Sequence, residues 1–592
     1  RAGLPGLTIV TAMFTDFLRK RLWRALPKPI PRGLSPASLI IEFPLPDFGD
    51  ATTSFALKHW RNFGFNNPID FSRKIMENLN ADKGLMKVIS KVSVDGIGFI
   101  NFWFKPEYLS AQMDDINKAG SDFGKTKVKR EKIMVEYAHP NTHKEMHIGH
   151  MRTLITGEAL ARILEAVGAK IFRANYQGDI GPHVAKSIWG TTKILAERGQ
   201  TFEQWEMKTA SEKAHLLGEG YVRGNQDYES HKAEMDDLNA DLYDRAEKVM
   251  PVYLRTRKWS LDYYNEFYKR FGTCFDRLFF ESEVDGPGKK LVMENIGKVF
   301  EKSDGAIIFD GEKHGLHKRV FVTSGGYPTY EGKEMALAFK QRQTFRFDKN
   351  IHVVANEQAE YFKVVFKAIE SLDPWFRGRE CHLSMGMVNL VNQKISSRRG
   401  IVITVDSLLD DVKSLVKELT NMAGKTDQEI DDIGNKVTLG AVKYSVLRAH
   451  PTLNVEFDLK QSVSLEGSSG PYIQYGYARC KSVLEKAKCK APAFAKAMAG
   501  KQNQKSLNDD ELMILRWLVR FPGTIINSAE QMAPNLICGY LFELCQKFNH
   551  FYQENRVIGS ENESFRLSLT QAVAQVLKNG LWLLGIEAPE RM

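Results

Sequence analysis

Cysteine is scarce in this chain: six in 592 residues (Cys274, Cys381, Cys480, Cys489, Cys538 and Cys545), with no Cys-x-x-Cys pair. That spacing excludes a zinc knuckle or a disulfide framework, so no structural metal is expected, and it points to a reducing, cytoplasmic setting. No uninterrupted apolar run approaches the roughly 20 residues that cross a bilayer, so no membrane partner is expected. Acid is nearly missing from residues 1–35, which are rich in Arg and Lys and begin with Arg. A targeting segment can look like that, but Met13 to Leu26 has amphipathic spacing and favours an ordinary N-terminal helix. What remains is 43% hydrophobic and 26% charged, the balance of a soluble globular protein. The length is too great for one core, so several domains are expected. A net charge of +10 and a pI near 9.0 suit a polyanionic partner, and equally a merely basic enzyme.

The most informative stretch runs from Lys132 to Asn175. Lys132-Ile-Met-Val-Glu-Tyr137 is an apolar, β-branched run that reads as a buried parallel strand. Met151 to Val167 has apolar residues at helical spacing and Gly168 where a C-terminal cap belongs. Lys170 to Asn175 reads as a second strand. Strand, helix and strand form a right-handed crossover, the unit of a doubly wound sheet that binds ligands at the carboxyl ends of its strands. His147-Ile-Gly-His150 falls there, at a helix mouth that favours anions. Imidazoles can donate to phosphate oxygens, and Gly149 lets a flat base come close to the backbone.

In that context His147-Ile-Gly-His150 resembles the signature of the class I aminoacyl-tRNA synthetases. The wider run His139-Pro-Asn-Thr-His-Lys-Glu-Met-His-Ile-Gly-His-Met-Arg152 is similar to the arginyl family in particular. Gln393-Lys-Ile-Ser-Ser-Arg-Arg-Gly400 resembles the family's Lys-Met-Ser-Lys-Ser loop, with Ile395 in place of Met and Ser397 where the second lysine would stand. Arginyl enzymes commonly lack that lysine, and Lys144, just upstream of the first motif, stands where the compensating one is expected. The resemblance implies ATP contacts at His147, Gly149, His150, Lys394, Ser396, Ser397 and Arg398, with His147, His150, Lys144 and Lys394 as the catalytic set. Cationic groups there would meet the β- and γ-phosphates as pyrophosphate leaves.

A guanidinium is best held by planar carboxylates in bidentate geometry, so acids at strand ends are candidates. Glu136 and Glu281 lie there by position. The resemblance carries Tyr330, Glu334 and Gln358 onto arginine-contacting positions. Asn141, His139 and His150 would take the amino acid's α-amino and carboxylate end. The family usually has Asp at Glu334 and Ser at His139, which would alter the pocket's depth.

The expected architecture is multidomain α/β. Residues 1–124 resemble the family's N-terminal α+β, tRNA-gripping domain, with strands at Leu39–Phe43, Lys87–Val94 and Gly98–Phe104 and helices at Ala51–Trp60 and Phe71–Leu79. Residues 125–402 would be a Rossmann-type doubly wound parallel-sheet catalytic domain, with a helical insertion around 186–272 and further buried strands at Arg319–Ser324 and Asn350–Ala355. A helical connector, 403–465, would lead to a C-terminal all-α helical bundle, 466–592, that binds the anticodon. Gly470-Pro-Tyr-Ile-Gln-Tyr-Gly-Tyr-Ala-Arg479 resembles the opening of that bundle, and Tyr472, Tyr475 and Arg479 share a helix face suited to stacking on loop bases.

The implied partners are ATP with Mg2+, L-arginine and tRNA(Arg), and a monomer is expected. The alternatives are a tRNA-binding paralogue without activity, or another class I synthetase.

Overall fold

The computed structural model describes residues 12–44, 46–127, 130–391, 404–419, 426–488 and 507–592. At its centre is a five-stranded, wholly parallel sheet. Its strands are β4 (Lys132–Glu136), β5 (Lys170–Gln177), β6 (Arg277–Phe280), β10 (Lys349–Ala355) and β11 (Glu380–Met385), in the spatial order β11-β10-β4-β5-β6. The order reverses between β4 and β10, so the crevice outside their carboxyl ends is the switch point where such sheets take ligands.

Alternation along the strands decides what each face meets. Ile133 and Val135 of β4, with Ile351 and Val353 of β10, join the core that contains α5 (Ile148–Ala166) and much of the C-terminal bundle. Met134 points the other way, into the core built with α11 (Tyr330–Thr344) and α12 (Ala359–Leu372). On that second face Glu136, Asn350 and His352 continue the alternation as buried polar residues.

Before the sheet lies an α+β unit, in which β1 (Ala51–Thr53), β3 (Phe99–Phe104) and β2 (Ile89–Asp95) form an antiparallel sheet beside α3 (Pro68–Asn80). Ala51 begins a strand here and not the expected helix, because the β-branched pair Thr52-Thr53 pairs with Ile100–Asn101 and the helix α2 (Phe55–His59) starts only after it. Leu39–Phe43 forms no strand beyond a single bridge from Glu42 to Thr52; the proline at 44 cannot donate to a ladder.

Between β5 and β6 the chain makes α6 (Pro182–Glu197), α7 (Ala210–Gln226), α8 (Lys232–Tyr243) and α9 (Met250–Arg270), the helical insertion expected from its charge and periodicity. Arg319–Val322 (β9) is a strand, but not of the central sheet. It closes a small antiparallel sheet with β7 (Glu301–Ser303) and β8 (Ala306–Phe309), and Val320 on it is exposed, which the central parallel sheet would not allow.

After the sheet come α13 (Val405–Leu419), α14 (Asp427–Leu447) and α16 (Gly470–Lys488), followed by α17 (Asp509–Leu518), α18 (Phe521–Gln531), α19 (Asn535–Glu554) and α20 (Glu563–Leu583). The bundle folds back on the rest of the chain. Arg516 Nε reaches buried Asp50 Oδ1 at 2.7 Å, Asn117 donates to Ser568 O at 3.0 Å, and Asn579 donates to Gly120 O at 2.9 Å and Phe123 O at 3.0 Å.

Candidate active site

The chain turns sharply as it leaves β4. Ala138, His139 and His143 all have positive φ (81°, 51° and 65°), a backbone region that non-glycine residues occupy only when their surroundings force it. The forcing contacts are visible. The single Tyr264 O–H lies between the carbonyls of Asn141 (2.6 Å) and Lys144 (2.7 Å), either of which can accept it, and the His143 ring is clamped between Thr142 Oγ1 (2.9 Å) and Thr256 Oγ1 (2.8 Å). His143 is therefore structural.

His147 is the N-cap of α5. Its Nδ1 accepts the Gly149 N–H at 3.1 Å, which leaves Nε2 carrying the proton and free to donate. The His150 ring stacks on it with centroids 3.7 Å apart. Burial, with Lys144 adding to it, lowers His147 to about 4. Burial, His147, His139 and Lys144 push His150 well below the usual imidazole range. Both rings are thus neutral hydrogen-bonding groups, and the positive charge comes from elsewhere. Lys144 supplies part of it: its Nζ sits 4.1 Å from the Tyr221 ring centroid, on α7 of the insertion.

Lys394, Ser396, Ser397 and Arg398 lie outside the described residues. The segment that follows them returns at Thr404, which forms an antiparallel bridge with His147, while Val405 N donates to Met146 O at 3.0 Å. Arg152 of α5 fixes the segment on the near side. Its guanidinium donates to the carbonyls of Met387 (2.6 Å), Pro451 (3.0 Å) and Leu453 (2.5 Å), binding β12 (Val388–Leu390) and β13 (Val455–Phe457) to the same helix. Arg152 ends the His139–Arg152 run, but its carbonyl partners lie more than two hundred residues away in sequence, so its role becomes visible only in the fold.

Glu136, at the carboxyl end of β4, is buried and fully engaged. Its Oε1 lies 3.2 Å from His352 Nδ1 and 3.7 Å from His139 Nδ1, and its Oε2 accepts from Gln341 Nε2. Glu281 is buried against Lys333 Nζ at 2.7 Å. Glu334, on α11, has no hydrogen bond or ion pair among the described residues that would occupy its carboxyl. Burial, with Glu136, Glu380 and Glu281 nearby, pushes that carboxyl far above the usual carboxylate range.

Tyr330 opens α11 and is exposed, Gln358 is exposed at the end of β10's turn, and Asn141 is half-buried with its Oδ1 against Gly178. A Cβ at Gly178 would strike that oxygen and come within 3.3 Å of Glu281 Oε1, so this glycine is required by close approach.

Among the described residues, the buried polar atoms without a hydrogen-bond partner include His139 Nε2, His150 Nδ1 and Tyr176 Oη along this edge. Glu334, Glu281 and Glu136 all bear on the Tyr176 hydroxyl, and Glu334 and Glu281 on that of Tyr361. Buried polar atoms left unpaired together at a switch point mark a place where a polar ligand completes the bonding. Sequence reading missed Tyr176, Tyr361, His352 and Glu380. The polar period-two pattern Asn350-Ile-His352 in a buried strand was the available signal.

Further along the chain, Tyr472, Tyr475 and Arg479 do share one face of α16. The Arg479 guanidinium lies 4.8 Å from the Tyr475 ring centroid and 5.5 Å from that of Tyr552, and donates to Asn549 Oδ1 at 2.6 Å. Asn549 in turn donates to Tyr472 Oη at 2.9 Å. The face therefore also includes Asn549 and Tyr552 of α19, which the sequence alone did not indicate.

Three family models match the chain in succession: an arginyl tRNA synthetase N terminal domain over residues 14–104, the catalytic domain of class I tRNA synthetases (R) over 112–459, and a DALR anticodon binding domain over 473–592. Among curated relatives, the Arginine--tRNA ligase of Bacteroides thetaiotaomicron is 30% identical over 559 residues, 89% of this chain and 91% of the relative. That of Bdellovibrio bacteriovorus is 33% identical over 517 residues, 83% of this chain and 86% of the relative. Among solved structures, the arginyl-tRNA synthetase of Thermus thermophilus superposes with a TM-score of 0.80 at 22% identity, covering 98% of this chain and 100% of that one. The Plasmodium falciparum enzyme gives 0.79 at 20%, covering 99% and 100%. At those identities the two structures speak for the fold.

Proposed function

This chain belongs to the arginyl-tRNA synthetases, the arginine-specific branch of the class I aminoacyl-tRNA synthetases, and from that premise we propose how its own residues carry the reaction. It is an arginine--tRNA ligase. L-Arginine is activated with ATP to arginyl-adenylate, pyrophosphate leaves, and the arginyl group passes to the 3′-terminal adenosine of tRNA(Arg) with release of AMP.

In the proposed arrangement ATP lies at the mouth of α5, with Gly149 against the nucleoside. His147 Nε2–H and His150 donate to its phosphates as neutral groups, and Lys144 with Lys394, Ser396, Ser397 and Arg398 faces the departing pyrophosphate. Arginine lies across the switch point. Glu334 receives the guanidinium, with Tyr330, Gln358, Glu281 and Glu136 around it, and Asn141, His139 and His150 hold the α-amino and carboxylate end. The arginine carboxylate attacks the α-phosphorus in line with the leaving oxygen, and the 2′-OH of the terminal ribose then attacks the activated carbonyl. No enzyme nucleophile is required; the protein orients the reactants and offsets charge as it develops.

Among the described residues no group of three His, Cys, Asp or Glu could hold a cation. Mg2+ would accompany ATP as a substrate ion and offset charge on the phosphates, and no step here is routed through it. The face carrying Tyr472, Tyr475 and Arg479 is proposed to meet the tRNA. The chain is proposed to divide at about 124, 402 and 465 and to act as a cytoplasmic monomer.

The observation that carries this reading is the bridge between Thr404 and His147, which ties the exit of the Lys394 segment to the helix mouth. Pyrophosphate exchange in the presence of tRNA tests it. Lys394→Ala should slow adenylate formation by roughly a hundredfold while arginine binding changes little. An unchanged exchange rate would remove Lys394 from the catalytic set.

A further inference from the structure

In a doubly wound fold the space between the sheet and its covering helices is normally apolar. Here it contains a charged chain. His352 stands opposite Glu136 in the β10/β4 register, and Asn350 stands opposite Glu380 in the β10/β11 register. Partners in a parallel register project from the same face, as do residues two apart on one strand. The backbone alone therefore places Glu136, Asn350, His352 and Glu380 side by side under α11 and α12.

The side chains join across three strands. His352 Nδ1 lies 3.2 Å from Glu136 Oε1, and its Nε2 lies 2.7 Å from Glu380 Oε2, all three groups being almost wholly buried. Asn350 Nδ2 also lies 3.1 Å from Nε2; a carboxyl group at each nitrogen favours the doubly protonated ring, and Glu136 and Glu380 lift His352 well above the ordinary imidazole range despite burial. Phe362 and Phe366 of α12 pack on it, each with its ring centroid 5.3 Å away. Gln341 donates to the other oxygen of Glu136, and Asn350 donates to Gln341 Oε1 at 3.0 Å. Both oxygens of Glu136 are thereby committed. Glu334 lies two helical turns before Gln341 on the same helix, with its carboxyl free of such partners among the described residues.

We propose that His352 is a positioning residue for arginine recognition: bridging Glu136 and Glu380, it fixes the floor of the socket and leaves Glu334 as the carboxylate that receives the guanidinium. This rests on the reading of Glu334 as the arginine acceptor. A glutamate reaches one methylene further into the pocket than an aspartate, so a floor that cannot shift is what makes the socket's depth definite. Were the bridge only structural, its loss would lower stability and leave the substrate parameters alone. As a positioning device, its loss lets two carboxylates repel one another, moves Glu136, and blurs the depth at which a guanidinium is held.

The test is exchange kinetics on His352→Gln, with tRNA present and arginine or homoarginine as substrate. Homoarginine carries the same guanidinium one methylene further out. The expected result is a rise of about tenfold or more in KM for arginine, with kcat and KM for ATP within a fewfold. Discrimination against homoarginine should narrow. Glu380→Gln, which removes only the far anchor, should shift the same parameters less, and the double variant should recover part of the loss, because the unpaired charge is removed with its partner. Unchanged arginine KM and unchanged discrimination in both single variants overturn the proposal, even if melting temperatures fall. Glu334→Gln is the separate control: if it too leaves arginine KM unchanged, the socket reading fails, whereas a large effect confined to Glu334 removes His352 alone.

Discussion

The residue on which the proposed arginine socket turns is Glu334. Burial raises its carboxyl, and the carboxylates of Glu136, Glu380 and Glu281 raise it further, while His352 opposes them. Tyr176 and Tyr361 are the other titratable groups facing it. Burial pulls His352 down, but Glu136 and Glu380 lift it well above an ordinary histidine, and that imidazolium in turn brings Glu136 below its usual value despite burial. The socket therefore holds Glu136 below its usual range and His352 and Glu334 above theirs. A carboxyl raised in the folded state contributes stability that is lost as pH rises through its folded pKa. An incoming guanidinium favours the carboxylate, so binding should expel about one proton and arginine affinity should increase with pH. Titration calorimetry in two buffers of different ionisation enthalpy measures this directly. The apparent heats should differ by the equivalent of one proton released, and identical heats would show that Glu334 is already ionised.

At the scale of elements, α5 does two jobs. Its N-terminus presents His147 and His150, and its first turns anchor, through Arg152, the segments on both sides of the Lys394 loop. Burial lowers Arg152 to about 10, and among the described residues its hydrogen-bond partners are three carbonyls, which its two terminal nitrogens clasp. Arg152→Met should cost about 3 kcal/mol by leaving those carbonyls unpaired. It should also slow adenylate formation more than it weakens arginine binding. Denaturant melts with parallel exchange assays check both; an unaltered exchange rate in the folded variant would confine Arg152 to stability.

Elements with strong periodicity were legible from the residues. The helix after His147, the parallel strands at Lys132 and Lys170, and the charged insertion helices all lie where spacing placed them. β11 escaped because Glu380-Cys-His-Leu-Ser-Met385 mixes polar and apolar residues, its polar positions being committed to the buried charge chain. β9 was assigned to the wrong sheet because a short Val-Phe-Val run looks the same in a central strand and in a small antiparallel sheet. Glu136 was legible as a strand-end acid, but not its commitment to His352, since that depends on a register between strands more than two hundred residues apart in sequence.

At the scale of the whole molecule, the parts are fastened to one another at buried polar points. Asp50, which burial raises, meets Arg516, so the N-terminal unit cannot leave the bundle without abandoning a charge. Lys443 of α14 is buried and donates to Phe271 O at 2.8 Å and to Gly585 O, joining the insertion's last helix to the chain's end. These fastenings hold at one edge of one sheet the proposed phosphate-binding notch around His147 and His150 and the proposed acidic socket around Glu334. A crystal structure with arginine and a non-hydrolysable ATP analogue tests that juxtaposition most directly. The account predicts the guanidinium in hydrogen-bond contact with Glu334, His352 still bridging Glu136 and Glu380, and the α-phosphate beside His147 and His150. A guanidinium seated away from Glu334, or phosphates away from the α5 N-terminus, would contradict it.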